Sequence, residues 1–331
     1  MNRMISGGRI RLFALCVSML MIFSAVPALA AEPVRIAALK GPTGMAFAHM
    51  IAEKAEGYEF ILAGAPDELT GQLIAGKIDI AAVPTNLACV LYNKTKGGVK
   101  ALSVITGGML YVLERGETVH SLQDLEGKRI LSAGQGAAPQ YVFSFILDKN
   151  GVNADVSWSS EQSEVVSLAV SGREDLVLLP EPHVTTLLTK DPSFRVALSL
   201  SQLFEEAAEM AGQPGAGLYM STVIVRSEFL ESHPDQVAAF MDRLENSITF
   251  ALSDPDTAAK EIAEAGILPS ETVARKALPS CALTFLTGEE MKLRLTPMIR
   301  VLFDGNPAAV GGAVPGDDFF VLTKGNRYKM N

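Results

Sequence analysis

The sequence predicts an α/β protein built as two half-size lobes that face each other across a ligand cleft. Three observations predict it. A ten-residue stretch, Gly76-Lys77-Ile78-Asp79-Ile80-Ala81-Ala82-Val83-Pro84-Thr85, recurs as Gly172-Arg173-Glu174-Asp175-Leu176-Val177-Leu178-Leu179-Pro180-Glu181. In both copies a glycine and a basic residue close a helix, an Asp opens a strand, and four apolar residues run to a proline. Upstream, Arg35-Ile36-Ala37-Ala38-Leu39-Lys40 leads into Gly41-Pro42-Thr43-Gly44, as Arg129-Ile130-Leu131-Ser132-Ala133 leads into Gly134-Gln135-Gly136-Ala137-Ala138-Pro139. Both pairs keep the same order: strand, glycine-rich turn, helix, then strand, proline and loop. The continuous apolar runs suit strands buried on both faces of a parallel sheet. Each proline ends its strand, because it has no N–H to give the ladder. The loops that follow lie at the carboxyl ends of the strands, where open α/β sheets bind ligands.

Taken in order, Pro33 to Leu39 reads as the first strand, and a helix runs from about Met45 to Glu56 with Thr43 as its N-cap. Tyr58 to Leu62 is a strand, and Asp67 caps the helix lined by Leu69, Leu73 and Ile74. The first copy follows, then a helix from Leu87 towards Asn93 and a strand from Val99 to Ile105. Thr106-Gly107-Gly108 breaks that strand and Met109 to Glu114 resumes it, so the first crossing between lobes falls here. Ser121 to Lys128 is a short capped helix; Pro139 opens a long helix that stops at Lys149-Asn150-Gly151. Val156 to Ser159 is a strand, Glu164 to Val170 a helix, and the second copy follows. Phe194 to Leu198 is a further strand, and Leu218 to Arg226 is the return crossing. Beyond Ser227 the pattern is mostly helical. Pro234 to Phe250 places Val237, Phe240, Met241, Leu244 and Ile248 at a period near 3.6, Asp254-Pro255 opens a helix ending near Gly266, and Thr287 to Leu302 forms the last. Gly311 to Gly316 is turn-rich. This organisation gives lobe 1 residues 31–108 and 219–331, and lobe 2 residues 109–218.

Residues 1–30 read as a cleavable secretory signal peptide. Arg3, Arg9 and Arg11 precede an uncharged apolar run, Leu12 to Val26, and Ala28-Leu29-Ala30 has the small-x-small form of a cleavage site. The apolar run is short for a membrane span. Removing it takes three of the 28 basic residues, leaving 25 against 37 acidic ones, a balance of −12. Such a surface repels nucleic acid and anionic lipid, so neither is expected as a partner. Cys89 and Cys281 remain; an oxidising compartment permits a disulfide, and the simpler reading is two buried, unpaired thiols.

With these pieces in place the chain resembles the type II periplasmic substrate-binding proteins of ABC transporters, and most of all their sulfonate/taurine and NMT1/THI5-like group. The residues that carry the resemblance are Gly41 to Gly44, Gly76 to Asn86, Ser121 to Lys128, Gly134 to Tyr141 and Pro180-Glu181-Pro182. The resemblance implies two Rossmann-like lobes joined by crossing strands that close on one small molecule. It also implies a periplasmic, monomeric protein that docks on an ABC permease and its ATPase at the inner membrane. No cofactor and no metal are expected.

The loops after the matched strands supply the candidate ligand contacts. Thr43 and Gly44 offer a hydroxyl and helix-terminal amides from one lobe; Gly136, Ala137 and Ala138 offer amides from the other. Two opposed helix N-termini favour a sulfonate, carboxylate or phosphate, each contributing on the order of a kcal/mol. Against a strongly anionic ligand stands the lack of a nearby arginine, Lys40 being the only basic residue beside these loops. Asp67 and Glu181 are acidic instead. Glu181, between two prolines, either accepts from an amine or aminopyrimidine or serves as a solvated or capping carboxylate. Thr85 and Asn86 add neutral hydrogen-bonding groups, and Tyr141 and Tyr219, like Phe47, either stack on a flat ligand or belong to the core. Ligand identity stays open between a sulfonate and a thiamine-precursor pyrimidine.

Two other functional classes share some of these features. An exported enzyme lacks support: His49, His120, His183 and His233 are scattered, and neither a Gly-x-Ser-x-Gly elbow nor a Walker loop is present. Gly134 to Pro139 approximates a dinucleotide fingerprint but has proline at its third glycine position. A ligand sensor acting through a separate receptor would use the same cleft as a transport protein.

Overall fold

The computed structural model describes residues 32–322. The signal peptide read over residues 1–30 lies outside them. The first part of the chain supplies β1 (Val34–Leu39), two short helices α1 (Pro42–Met45) and α2 (Ala48–Ala52), β2 (Tyr58–Ala63), α3 (Pro66–Ile74), β3 (Ile80–Pro84), α4 (Thr85–Lys94) and β4 (Val99–Gly107). The chain crosses at Gly108-Met109 into β5 (Leu110–Arg115), β6 (Arg129–Ala133), α5 (Ala138–Asn150), β7 (Asp155–Ser159), α6 (Gln162–Val170), β8 (Leu176–Pro180), α7 (His183–Lys190), β9 (Phe194–Ser199) and α8 (Leu200–Met210). It returns through β10 (Tyr219–Arg226), then α9 (Ser227–Ser232), α10 (Pro234–Ser253), α11 (Pro255–Glu264), α12 (Glu271–Ala277), β11 (Leu283–Thr287) and α13 (Gly288–Gly305).

Two sheets result. The first has the order β11-β4-β10-β3-β1-β2 and the second β7-β6-β8-β5-β9. In each, a parallel trio carries one copy of the repeat: β2-β1-β3 in the first, β7-β6-β8 in the second. Each copy strand then pairs antiparallel with a crossing strand, β3 with the returning β10 and β8 with the outgoing β5. The two halves thus exchange neighbours through matched positions. β3 and β8 are buried over four consecutive residues before their prolines, as strands covered on both faces must be.

The amino end of β3 is held by charge. Asp79 is buried, and its carboxylate accepts from Arg35 Nε at 2.8 Å and from Arg226 at 3.0 Å, with the second Arg35 nitrogen at 2.6 Å. The backbone N–H of Arg35 adds a further bond. Burial opposes the charge on Asp79, but the Arg35 and Arg226 bonds outweigh it and hold the carboxyl below its usual range. One buried carboxylate therefore ties β1, β3 and β10 together.

Several elements differ from the sequence reading. The single helix from Met45 to Glu56 is broken, and Thr43 is not its cap. Gly41, at φ 91°, turns the chain; Pro42 takes the first position of α1, and the run breaks before Ala48. Met45, Ala46, Phe47 and Ala48 are all fully buried, which one stripe of an uninterrupted helix cannot achieve. Asp67 does not cap α3: Ala65 stands at the N-cap, and Glu68 accepts from its N–H at 3.1 Å. The sequence reading places no element over α8 or β11, and it covers α12 only in reading the chain beyond Ser227 as mostly helical. α8 is regular, burying Leu200, Phe204, Ala207 and Ala208 on one face, while β11 is short and irregularly registered against β4.

α5 ends as read, on Gly151 in the left-handed conformation, and α10 buries its five periodic apolar residues. The turn-rich Gly311 to Gly316 packs down. Asn93 Nδ2 donates to the carbonyls of Val310 and Ala313, Asp318 accepts from Lys100 and Tyr92, and Val321 N–H reaches Ala101 O at 2.9 Å beside β4. Cys89 on α4 and Cys281 before β11 are buried free thiols in separate cores, the first pushed up to about 12 by burial. Among the described residues no helix is long and apolar enough to cross a membrane.

Replacing Asp79 by Ala leaves two arginines without their buried partner. The expected loss is about 3 kcal/mol, the low end for breaking such a pair because both guanidiniums still touch water. Because the folded Asp79 carboxyl lies below its unfolded value of 3.8, its contribution is present above pH 3.8 and vanishes as pH falls through the depressed value. Urea melts of both proteins from pH 7 to pH 3 should show the gap closing only at the acid end.

Candidate functional site

A cavity of about 430 Å³ lies where the carboxyl ends of the two parallel trios meet. From the first half its wall takes Pro42, Thr43, Pro66, Pro84, Asn86 and Leu87; from the second, Ala137, Ala138, Pro139 and Glu181. The crossing segments contribute Met109, Met220 and Ser221. The volume suits a small organic molecule. Most of the wall is apolar, and among the described residues no arginine or lysine lines it.

The wall's polar groups are few and mostly committed. Thr43 Oγ1 bonds Ser221 Oγ at 2.9 Å, linking the turn after β1 to β10. Glu181 is 4% exposed. Its Oε1 accepts from Thr185 Oγ1 at 3.0 Å and its Oε2 from Thr185 N–H at 3.1 Å, within the first turn of α7. Burial raises the Glu181 carboxyl above its ordinary range, and the two Thr185 bonds pull against it. Each oxygen retains accepting capacity for a donor in the cavity.

The helix starts around the cavity are unequal as anion sites. α1 is a single turn, and the Gly44 N–H donates to Gly41 O at 3.0 Å. The Gly136 N–H ahead of α5 donates to Gln140 Oε1 at 2.7 Å, and Ala137 N–H to Gly134 O. α7 begins on the Glu181 carboxylate. Two helices of ten residues or more, α4 and α5, bring first turns without a side-chain cap to the wall, α4 at Asn86 and Leu87 and α5 at Ala137 and Ala138. Of the groups expected at Thr43-Gly44 and Gly136 to Ala138, the N–H groups of Gly44, Gly136 and Ala137 bond within their own turns, and Ala138 stands on the wall at the start of α5.

Of the residues singled out by sequence, Thr43, Asn86, Ala137, Ala138 and Glu181 share the cavity wall. The others lie elsewhere. Gly44 packs against β1, where a Cβ would stand 2.8 Å from Leu39 O. Asp67 is exposed on α3, one residue past the wall. Thr85 is buried on Thr222 Oγ1 at 3.0 Å. Gly136 is exposed. Tyr141 faces a second groove between α5 and α13, its hydroxyl accepting from Asn306 Nδ2 at 2.9 Å. Tyr219 is buried, its N–H on Met298 Sδ and its hydroxyl bonded to Arg294. Sequence reasoning missed the prolines as wall residues, although Pro42, Pro84 and Pro139 stand inside the matched motifs. It also missed Met109, Met220 and Ser221, whose signal was their position at the two crossings.

Two α/β sheets that exchange crossing strands around a cavity define the periplasmic binding protein fold, and solved structures share it. An ABC transporter protein from Parabacteroides distasonis is 22% identical with a TM-score of 0.74, covering 87% of this chain and 98% of its own. The periplasmic aliphatic sulphonate binding protein SsuA of Escherichia coli is 14% identical, at TM-score 0.67 over 87% and 96%. The alkanesulfonate-binding protein SsuA of Xanthomonas axonopodis pv. citri, bound to MOPS, is 17% identical, at TM-score 0.60 over 87% and 96%. The chain belongs to the NMT1/THI5-like family, whose model matches residues 61–258. No curated protein matches it.

Glu181→Gln separates burial from hydrogen bonding at the wall. A carboxyl whose folded value is raised contributes fully below its ordinary 4.5 and loses that contribution as pH rises through the folded value. The variant, neutral throughout, should melt with wild type at pH 4 and at or above it at pH 8. A lower melting temperature for the variant at pH 8 would mean that the Thr185 bonds outweigh burial.

Proposed function

We propose that this protein is the exported solute-binding component of an ABC importer, taking a small organic molecule into the cavity and presenting it to a membrane permease. The observation that carries the reading is the composition of the wall. It is built by the loops after both copies of the repeat, Pro84 to Leu87 and Glu181, and by both crossing segments. A ligand there touches both halves at once, so binding energy is available to draw them together. Family membership and the binding-protein names of the structural neighbours support the same role.

The halves are residues 31–108 with 219–331, and residues 109–218. Closure turns about Thr106 to Tyr111, where β4 of one sheet leads into β5 of the other, and about Leu218 to Val223, where the chain re-enters the first sheet in β10. The closed form is the one the permease recognises, from the periplasmic side, with its ATPase on the other.

Between the two ligand classes, the wall favours a nitrogenous one. A sulfonate alone would enter an apolar cavity without a cation and face the Glu181 carboxylate. A molecule with an N–H donor for Glu181 and an acceptor for the first turns of α4 and α5 meets the polar features of the wall. An aminopyrimidine has that pattern, and so does an aminosulfonate.

The test is a thermal-shift screen of the mature protein against sulfonates, carboxylates, amines and aminopyrimidines. A binder at a hundred times its dissociation constant adds about 2.7 kcal/mol of stability. An aminopyrimidine or amine hit that is lost in Glu181→Ala is expected. A simple alkanesulfonate hit insensitive to Glu181 would overturn the ligand reading, and a hit without compaction in small-angle scattering would overturn the closure.

A further inference from the structure

Behind the cleft cavity lies a second one of about 240 Å³, and Glu181 belongs to the walls of both. The rear cavity is lined by Thr185, Thr189 and Val196 from the second half and by Lys276 and Ser280 from the first. Thr185 does not reach the cleft cavity. It touches only the carboxylate that does, and it touches both oxygens, one through its hydroxyl and one through its N–H. Both bonds fix the plane of the carboxylate at the first turn of a helix.

The other groups that face Glu181 do not perform this task. The Tyr111 hydroxyl on β5 donates to Ser280 O at 3.2 Å. The Cys281 thiol is buried. Lys276 on α12 stands at the rear cavity with its Nζ 3.4 Å from Thr189 Oγ1. Burial works against the charge on this carboxylate, and the hydrogen bonds that favour its charged form both come from Thr185.

We propose that Thr185 is a positioning residue of the cleft: by holding both oxygens of Glu181 it sets the pH above which the cavity presents a charged acceptor, and so makes the cavity selective for ligands that offer a protonated or N–H nitrogen. The proposal rests on the reading of the cleft as the ligand site. It adds a residue outside that site and a control over its charge.

A ligand-free measurement decides it. The stability difference between the protein and its Glu181→Gln variant, followed from pH 4 to pH 9, reports the ionisation of Glu181. Repeated with Thr185→Val, which removes the hydroxyl and keeps the shape, the transition should move to higher pH; with Thr185→Ser it should stay where wild type has it. A Val variant that titrates like wild type would overturn the proposal, and so would a Ser variant that shifts as far as Val. Should Thr185→Val fail to fold, Thr185→Ala and Thr185→Ser carry the same comparison.

Binding supplies the second arm, with 4-amino-2-methylpyrimidine as donor probe and ethanesulfonate as anion. Loss of one hydrogen bond to a charged group should weaken the pyrimidine about tenfold at pH 7 in Thr185→Val, with recovery at higher pH. Unchanged pyrimidine affinity would count against the role of Thr185. Failure of the pyrimidine to bind unmodified protein would overturn the ligand reading, and the titration would still decide Thr185.

Discussion

The buried carboxylate of Asp79 is the point on which the first sheet depends. β1 and β3 belong to one continuous segment, but β10 arrives only after the chain has visited the second sheet. Asp79 ties the amino ends of β1 and β3 to the carboxyl end of the antiparallel β10 through Arg35 and Arg226. Its backbone is used as well: Asp79 N–H donates to Arg35 O, and Arg226 N–H to Asp79 O. The repeat carries a looser version in the second sheet. Arg129, the counterpart of Arg35, pairs with Glu174, and Arg115 on the crossing strand β5 pairs with Asp175. Asp175 is 67% exposed against 3% for Asp79, so the same arrangement is a structural pin in one sheet and a solvated surface pair in the other.

Much of this was legible in the sequence, because a repeated pattern constrains more than a single one. The apolar runs before Pro84 and Pro180 are buried strands, Gly107-Gly108 marks the crossing, and the 3.6-residue period of α10 is its buried face. What escaped depends on context. Nothing in Met45 to Ala48 says that all four side chains will be buried and the helix broken. β11 is five residues long and defined mainly by the edge of β4 that receives it.

The site was legible at the level of loops and less so at the level of side chains. Thr85 and Asn86 are adjacent at the start of α4, yet one turns into the sheet and the other to the cavity; sequence does not fix the rotation of a helix about its axis. Strand alternation fails in a comparable way at β10. An irregular register between Tyr219 and Ser221 sends Met220 and Ser221 together to the cavity and Tyr219 to the core. Glu181 fitted both readings offered for it. It caps α7 through Thr185 and forms part of the wall, so structural and binding roles are not alternatives for this residue.

The exchange of crossing strands also bears on how the chain comes together. Every strand of the second sheet lies within residues 110–199, one uninterrupted segment, whereas the first sheet needs strands as far apart as β1 and β11 and is bordered by Val321 beside Ala101. Closing so long a loop is entropically slow, and local pairings form ahead of distant ones. In a chain emerging amino end first, the second sheet can be complete while the first still waits, with the Asp79 carboxylate lacking Arg226. The half that begins the sequence is thus the half that finishes last.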